Sequence, residues 1–208
     1  ALARRLGQTD VDRILGTDDR CVIGVAGAAG LAGEMIRLFQ AEVDHLEKIQ
    51  GQRISMDGRA VRLSSLVRSH GTMMTQGLAV TPLLAGWDES AHRGRIFSYD
   101  GTGGQTEEHS HACVGSGALF ASDVLNEGYR TGMDRDESVA LAIRALDAAI
   151  SDDSPSSLSG PDLSRGLYPT VACADSRGVT RMPTEEVAVL AKWLADQVTA
   201  ESDREEAQ

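Results

Sequence analysis

The hydrophobic pattern begins with a short apolar block and a long helical repeat. Residues 20–27 form an apolar run rich in β-branched side chains, which predicts a buried strand. Apolar residues then recur at helical spacing until Gly51 stops the run. They are Leu31, Met35, Phe39, Val43 and Leu46. The pattern therefore predicts a strand and a helix, joined by the small residues at 27–30.

Further blocks of the same two kinds fill the rest of the chain. Helical periodicity predicts helices over residues 57–76, 116–127 and 134–150, and a last one beginning at Pro183, with Asp57 as N-cap of the first. Strand patterns cover residues 78–85, 95–99 and 105–113, and a hairpin of 170–174 with 179–182.

The order of these elements favours one fold class. Helices come in pairs between hairpins rather than singly between parallel strands, which favours a layered α+β sandwich over a doubly wound sheet. We expect a single domain over residues 1–200 and a charged, frayed tail at 201–208.

Length, charge and hydropathy exclude several classes of function. The chain has 208 residues, with 20 Lys and Arg against 31 Asp and Glu, for a net charge of −11. This acidity argues against a nucleic-acid surface, which needs a basic patch. No apolar run reaches membrane-spanning length, and the first six residues lead into no apolar signal-peptide core. Three widely spaced cysteines, Cys21, Cys113 and Cys173, fit a reducing cytoplasm better than a disulfide framework.

Three segments carry side chains or amides that could do chemistry. The small residues at 27–30 join a strand to a helix, where exposed amides could bind an oxyanion, although close helix–strand packing explains them equally well. In the segment 114–117, Ser116 could cap the next helix or offer its hydroxyl to a site. The loop containing Asp152, Asp153, Ser156 and Ser157 could be functional or an acidic, solvated turn.

Two other segments have a structural explanation. His109, His111 and Cys113 would share one face of a strand and could hold zinc, but no fourth ligand is visible. A solvent-facing polar row is the simpler interpretation, and we expect neither a metal nor a cofactor. The glycine-rich segment 100–104 leads into a strand, whereas a phosphate loop needs a helix N-terminus behind it, so we interpret it as a tight turn.

Taken together, these segments resemble the proteasome β-type subunits of actinobacteria. The matching blocks lie at residues 9–14, 25–29, 37–43 with 45–48, 82–86, 114–117 and 160–170. The last block, G-P-D-L-S-R-G followed by L-Y-P-T, together with the order of helices and hairpins, makes the resemblance specific. The match runs over nearly the whole chain.

The resemblance implies a fold, an activity and a set of partners. The fold would be a four-layer α-β-β-α sandwich of the N-terminal-nucleophile hydrolase type. Such subunits form seven-membered rings with other β subunits, stack against α subunits, and cut unfolded polypeptides inside a closed cytoplasmic barrel. In this family an N-terminal threonine attacks the peptide carbonyl, and its own amino group or a nearby water takes the proton.

The resemblance also assigns roles to individual residues. Gly27 would supply the amide that stabilises the oxyanion, and Ser116 a supporting hydroxyl. Asp153 is the best match for the loop carboxylate; Asp152 is the alternative, with Ser156 or Ser157 as the accompanying hydroxyl. Val25 and Ala29 would line the pocket for the substrate residue before the scissile bond, and their small apolar side chains suggest that apolar residues are accepted there.

Two departures from the family pattern bear on activity. The supporting lysine of the family falls at Arg13, which keeps the positive charge but not the compact amine. The chain given begins at Ala1, and the hairpin with the threonine nucleophile has no counterpart in it. We therefore expect either a piece of a longer, catalytic subunit or a short, non-catalytic ring member. Because loss of a central hairpin would expose sheet edges and core, the longer subunit is favoured. An unrelated small-molecule enzyme or binding domain is a third hypothesis.

Overall fold

The computed structural model describes residues 14–16, 19–71, 79–151 and 168–205, and these form two compact units. The sheet unit comprises the described residues up to Gly115 together with residues 172–180. The helical unit comprises the described residues from Ser116 to Val171 and from Arg181 onward.

The sheet unit contains a five-stranded antiparallel sheet, two helices and a hairpin. Its elements are β1 (Ile14–Gly16), β2 (Cys21–Gly27), α1 (Ala29–Gln50), α2 (Met56–Ser69), β3 (Val80–Asp88), β4 (Arg93–Tyr99), β5 (Gln105–Glu108), β6 (Ala172–Asp175) and β7 (Gly178–Arg181, its last residue assigned to the helical unit). The five strands lie in the order β1-β2-β3-β4-β5, so each strand pairs with its neighbour in the chain. β6 and β7 form a separate two-stranded sheet.

One face of the five-stranded sheet packs against α1 and α2. Along β2 the alternate residues Cys21, Ile23 and Val25 are at most 8% exposed and belong to one core with Leu84 of β3 and Phe97 of β4. The register places Ile23 opposite Leu84, and Leu84 opposite Phe97, so this core runs across three strands. The helices contribute their apolar stripes, which include Met35, Phe39, Val43, Leu63 and Val67.

The ends of α1 and α2 show where the sequence pattern was sufficient and where it was not. Gly51 ends α1, as predicted, and the structure shows it in the left-handed conformation with φ 65°. The predicted N-cap of α2 was wrong: the hydroxyl of Ser55, not the carboxylate of Asp57, accepts the Gly58 amide at 3.2 Å. The helix ends at Ser69, with His70 as its C-cap; Gly71 is again helical, and the rest of the predicted extension, residues 72–76, lies outside the described residues.

The strand predicted over residues 105–113 is shorter than expected. β5 ends at Glu108, which pairs with Ile96, so His109, His111 and Cys113 lie beyond the strand and do not form the predicted row on its face. The polar sequence after Glu108 gives no hydrophobic signal for this end. Among the described residues no group of three or more His, Cys, Asp or Glu side chains is placed to hold a metal ion.

The helical unit contains three helices: α3 (Ala118–Gly128), α4 (Arg135–Ser151) and α5 (Thr184–Glu205). A capping box opens α4, since Asp134 accepts from the Glu137 amide at 2.9 Å and Glu137 accepts from the Asp134 amide at 3.1 Å. α5 continues into the segment predicted to be a tail. Within the described part of the chain, no helix is both long and apolar enough to cross a membrane.

Candidate functional site

The site predicted around Gly27 lies where β2 passes into α1. Gly27 is exposed and has a φ of 105°, in the region that favours glycine. A Cβ at this position would overlap the carbonyl oxygen of Ala79, at the start of β3. The turn therefore requires glycine for two independent reasons, the backbone conformation and the close approach of the neighbouring strand.

The hydrogen bonds at the end of the ladder fix the direction of the Gly27 amide. The Ala28 amide donates to the Ala79 carbonyl at 3.0 Å, continuing the register that pairs Ala26 with Thr81. Amides of successive residues point to opposite sides of an antiparallel strand, so the Gly27 N–H points away from β3. On that side the described pairing of β2 with β1 stops at Gly24. No described strand residue is paired with the Gly27 N–H.

The helix that follows adds a positive electrostatic environment. Ala28 is the N-cap of α1, with φ −72° and ψ 105°, and it has no side-chain acceptor for the amides of the first turn. That turn also contains no acidic residue. The first amides of a helix have no partner within the helix and form the positive end of its dipole. Amides of this kind, beside an exposed glycine, are suited to stabilise an oxyanion.

The two predicted pocket residues flank the turn. Val25 lies two residues before Gly27, on the face of β2 that packs against the helices, and is 8% exposed within the hydrophobic core. Ala29 is the first residue of α1. Val25, Gly27 and Ala29 are alternate residues of one segment, and the role of Val25 and Ala29 in a substrate pocket stays a prediction, since Val25 is buried in the core.

The segment that leads to Ser116 passes near β2 within the sheet unit, with room for one methyl group between Gly115 and Ala26. Gly115 has a φ of 118°, and a Cβ built on it would lie 3.6 Å from the Cβ of Ala26. Ser116 itself is exposed and opens the helical unit. The prediction that it caps α3 was wrong, because the N-cap is Gly117 and no side chain supplies a capping hydrogen bond.

A comparison with protein families shows what this chain belongs to. The family model described as "Proteasome subunit" matches residues 4–160, which include the strand, turn and helix described above. The chain belongs to the proteasome subunit family. This membership confirms the resemblance, together with the predicted α+β fold. It also argues against the hypothesis of an unrelated small-molecule domain.

Curated relatives place this proteasome-family chain among β-type subunits. A protein named proteasome subunit beta from Streptomyces griseus is 38% identical over 202 residues, 97% of this chain and 71% of its own length. A protein of the same name from Acidothermus cellulolyticus is 44% identical over 186 residues, which are 88% of this chain and 63% of the relative's own length. Another from Jonesia denitrificans is 38% identical over 192 residues, which are 92% of this chain and 63% of the relative's own length. The chain thus spans roughly two thirds of the length of these relatives.

Several predicted site residues of the proteasome-family chain fall outside the described residues. They are Arg13, Asp152, Asp153, Ser156 and Ser157. Their roles stay predictions. Conversely, sequence reasoning missed the Ala79 carbonyl, which holds the turn through the Ala28 amide. Every residue has a backbone carbonyl, so the residue type at position 79 could not have indicated this contact.

Proposed function

We propose that this chain is a catalytic β-type subunit of a proteasome core particle, which hydrolyses peptide bonds in unfolded polypeptides with a threonine nucleophile. One observation carries the proposal: the exposed Gly27 turn directs an amide away from the ladder, beside a helix N-terminus without a side-chain cap. Such a turn is suited to bind the negative oxygen that forms when a peptide carbonyl is attacked.

In the proposed reaction the Gly27 amide acts on the carbonyl oxygen of the scissile bond. A threonine hydroxyl attacks the carbonyl carbon, and its proton passes to the α-amino group of the same residue or to a nearby water. The Gly27 N–H hydrogen-bonds the oxyanion of the tetrahedral intermediate. Loss of one such donor typically lowers kcat by about 10²- to 10³-fold. On collapse of the intermediate the carbon–nitrogen bond breaks, and the leaving amine takes up the proton that was removed from the hydroxyl. Water then hydrolyses the acyl-enzyme and frees the threonine hydroxyl.

Three further side chains are assigned supporting roles. The Ser116 hydroxyl and the Asp153 carboxylate, with Asp152 as its alternative, would hold the nucleophile and its amino group in position. Arg13 would supply positive charge where the family has lysine. A guanidinium is planar and always protonated, so Arg13 can stabilise negative charge but cannot accept a proton.

The proposed substrate preference follows from Val25 and Ala29. A pocket lined by small apolar side chains accepts an apolar residue before the scissile bond, because burying its surface stabilises the complex. The proposed partners are other β subunits in a seven-membered ring and α subunits stacked upon it, and the proposed location is the cytoplasm.

One observation favours a second function, a structural ring subunit without activity. By the resemblance, Arg13 stands where the family has lysine, which would change one component of the proton-transfer network. This candidate shares the fold and the partners, and differs only in chemistry.

The test uses the protein purified from its native source. Terminal sequencing and intact mass identify its first residue, and turnover is measured with fluorogenic peptides carrying an apolar or an acidic residue before the cleaved bond. We expect an N-terminal threonine and hydrolysis of the apolar peptide, blocked by a peptide boronate. A ring with another N-terminal residue and no turnover would establish the structural function instead.

A further inference from the structure

The end of β3 beside the oxyanion turn is paired on one side only. Toward β2, the Ala79 carbonyl accepts the Ala28 amide at 3.0 Å. Toward β4, the described pairing of β3 stops at Leu83, which lies opposite Ser98. Pro82 comes next toward the turn, and its nitrogen has no hydrogen to donate to β4. The carbonyl that fixes the turn therefore belongs to a strand end that has one neighbouring strand among the described residues.

Val80 connects this strand end to the hydrophobic core. The carbonyl of Ala79 and the nitrogen of Val80 belong to one planar peptide unit, so whatever holds Val80 also limits the orientation of that carbonyl. The register places Val80 opposite Gly27, in a pair that exchanges no backbone hydrogen bonds because the next pair, Ala28 with Ala79, is the hydrogen-bonded one. The side chain of Val80, however, is 7% exposed and belongs to the core of the sheet unit.

The core that buries Val80 also includes the beginning of α1. Ala32, in the first turn of that helix, belongs to it, and Ala28, the N-cap, packs against it. Ala79 is only half-buried and has a methyl group alone to contribute. The ends of strands open easily when few apolar groups hold them. Burial of the Val80 side chain opposes such opening, because it would expose apolar surface to water.

We propose that Val80 is a positioning residue, whose buried side chain keeps the Ala79 carbonyl in place for the Ala28 amide and thereby fixes the Gly27 turn. The inference rests on the proposed function, because this turn is the one that would bind the oxyanion. It requires a β-branched apolar side chain at position 80. Truncation of that side chain would loosen the end of β3 and leave unchanged every group proposed to touch the substrate.

The experiment compares Val80→Ala with Val22→Ala in the assembled, full-length protein. Val22 is a matched control, since it is 8% exposed, lies opposite Ala85 near the other end of β2, and loses the same two methyl groups and the same strand propensity. We expect Val80→Ala to lower kcat about 10-fold with KM nearly unchanged, because a misaimed donor weakens transition-state binding alone. Val22→Ala and Val80→Ile should match the unmodified protein. If Val80→Ala does not assemble, Val80→Thr makes the same comparison with a smaller loss of apolar surface.

A second measurement does not depend on turnover. Hydrogen exchange of the assembled variants, read at the Ala28 amide by mass spectrometry, should be faster in Val80→Ala than in the unmodified protein and unchanged in Val22→Ala. An unmodified protein that does not hydrolyse peptides would overturn the proposed function, while exchange at Ala28 would still decide whether Val80 holds the turn. Equal kcat values for Val80→Ala and Val22→Ala in an active protein, or an unchanged exchange rate in Val80→Ala, would overturn the inference alone.

Discussion

The guanidinium of Arg59 donates a 2.8 Å hydrogen bond to the carboxylate of Glu47 inside the sheet unit. Arg59 is only 2% exposed, and it also donates to the carbonyl of Ile54 and to the sulfur of Cys21. Glu47 in turn accepts the Ile54 amide at 3.0 Å. One buried cation thus connects the end of α1, the loop before α2 and the start of β2.

We predict that Arg59→Ala lowers the free energy of unfolding by about 3–5 kcal/mol, because it leaves a partly buried carboxylate without its cationic partner, with only the Ile54 amide to satisfy it. The matched control is Arg62→Ala, on the same helix, whose half-exposed side chain lies 3.5 Å from Glu42 and should contribute less than about 1 kcal/mol. Urea unfolding measures both. Equal losses would contradict the assignment of Arg59 as the connecting residue.

Asp88 should make the free energy of unfolding depend on pH in the acidic range. Hydrogen bonds from Ser90, and then from Arg95, lower the pKa of the Asp88 carboxyl to about 2. In the unfolded chain the Asp88 carboxyl has its ordinary pKa of about 3.9. The stabilisation that the ionised carboxylate gives the folded state is therefore lost as the pH falls from about 4 to 2. The contribution above that window is about 2–3 kcal/mol.

The variant Asp88→Asn tests this pH dependence. We expect it to be less stable than the unmodified protein at pH 7 and the difference to shrink steadily below pH 4, as measured by urea unfolding across the pH range. Ser90→Ala, which removes the largest contribution to the shift, should reduce the same acid response. A stability difference that is constant between pH 7 and pH 2 would contradict the assignment.

A buried serine on α2 holds the turn between β4 and β5. The Ser64 hydroxyl donates to the Gly103 carbonyl at 2.5 Å, whereas its exposed neighbour Ser65 donates only to Val61 on its own helix. We predict that Ser64→Ala lowers the free energy of unfolding by about 1–2 kcal/mol more than Ser65→Ala, because it leaves a buried carbonyl unsatisfied. Both variants gain the same helix propensity, so thermal unfolding of the pair isolates the contact.

Much of the sheet unit could be predicted from sequence because burial on one face imposes a period. The continuous apolar run of β2 and the helical stripe ending at Gly51 both follow from burial of these elements in one core. β1 was missed because three residues are too few to show a period. The polar row after Glu108 was assigned to a strand because no hydrophobic position marked where pairing ends.

The candidate site was predictable only in part, for a different physical reason. Small residues between a strand and a helix indicated Gly27, but the partner that makes glycine necessary is the Ala79 carbonyl oxygen. Such contacts depend on tertiary register, which a single sequence does not encode in residue type.

The turn itself provides the most direct prediction, Gly27→Ala. The added methyl would overlap the Ala79 oxygen, and φ 105° is unfavourable for alanine, so the end of β2 must separate from β3 or the turn must change conformation. Either change rotates the amide, and we expect peptide hydrolysis by the assembled protein to fall by about 10²-fold or more. The control is Gly30→Ala, three residues on within α1, where a Cβ has open space. Helix propensity should make that variant as stable as the unmodified protein or more so. If Gly27→Ala retained full turnover, the oxyanion would be bound elsewhere and the role of this turn would be structural.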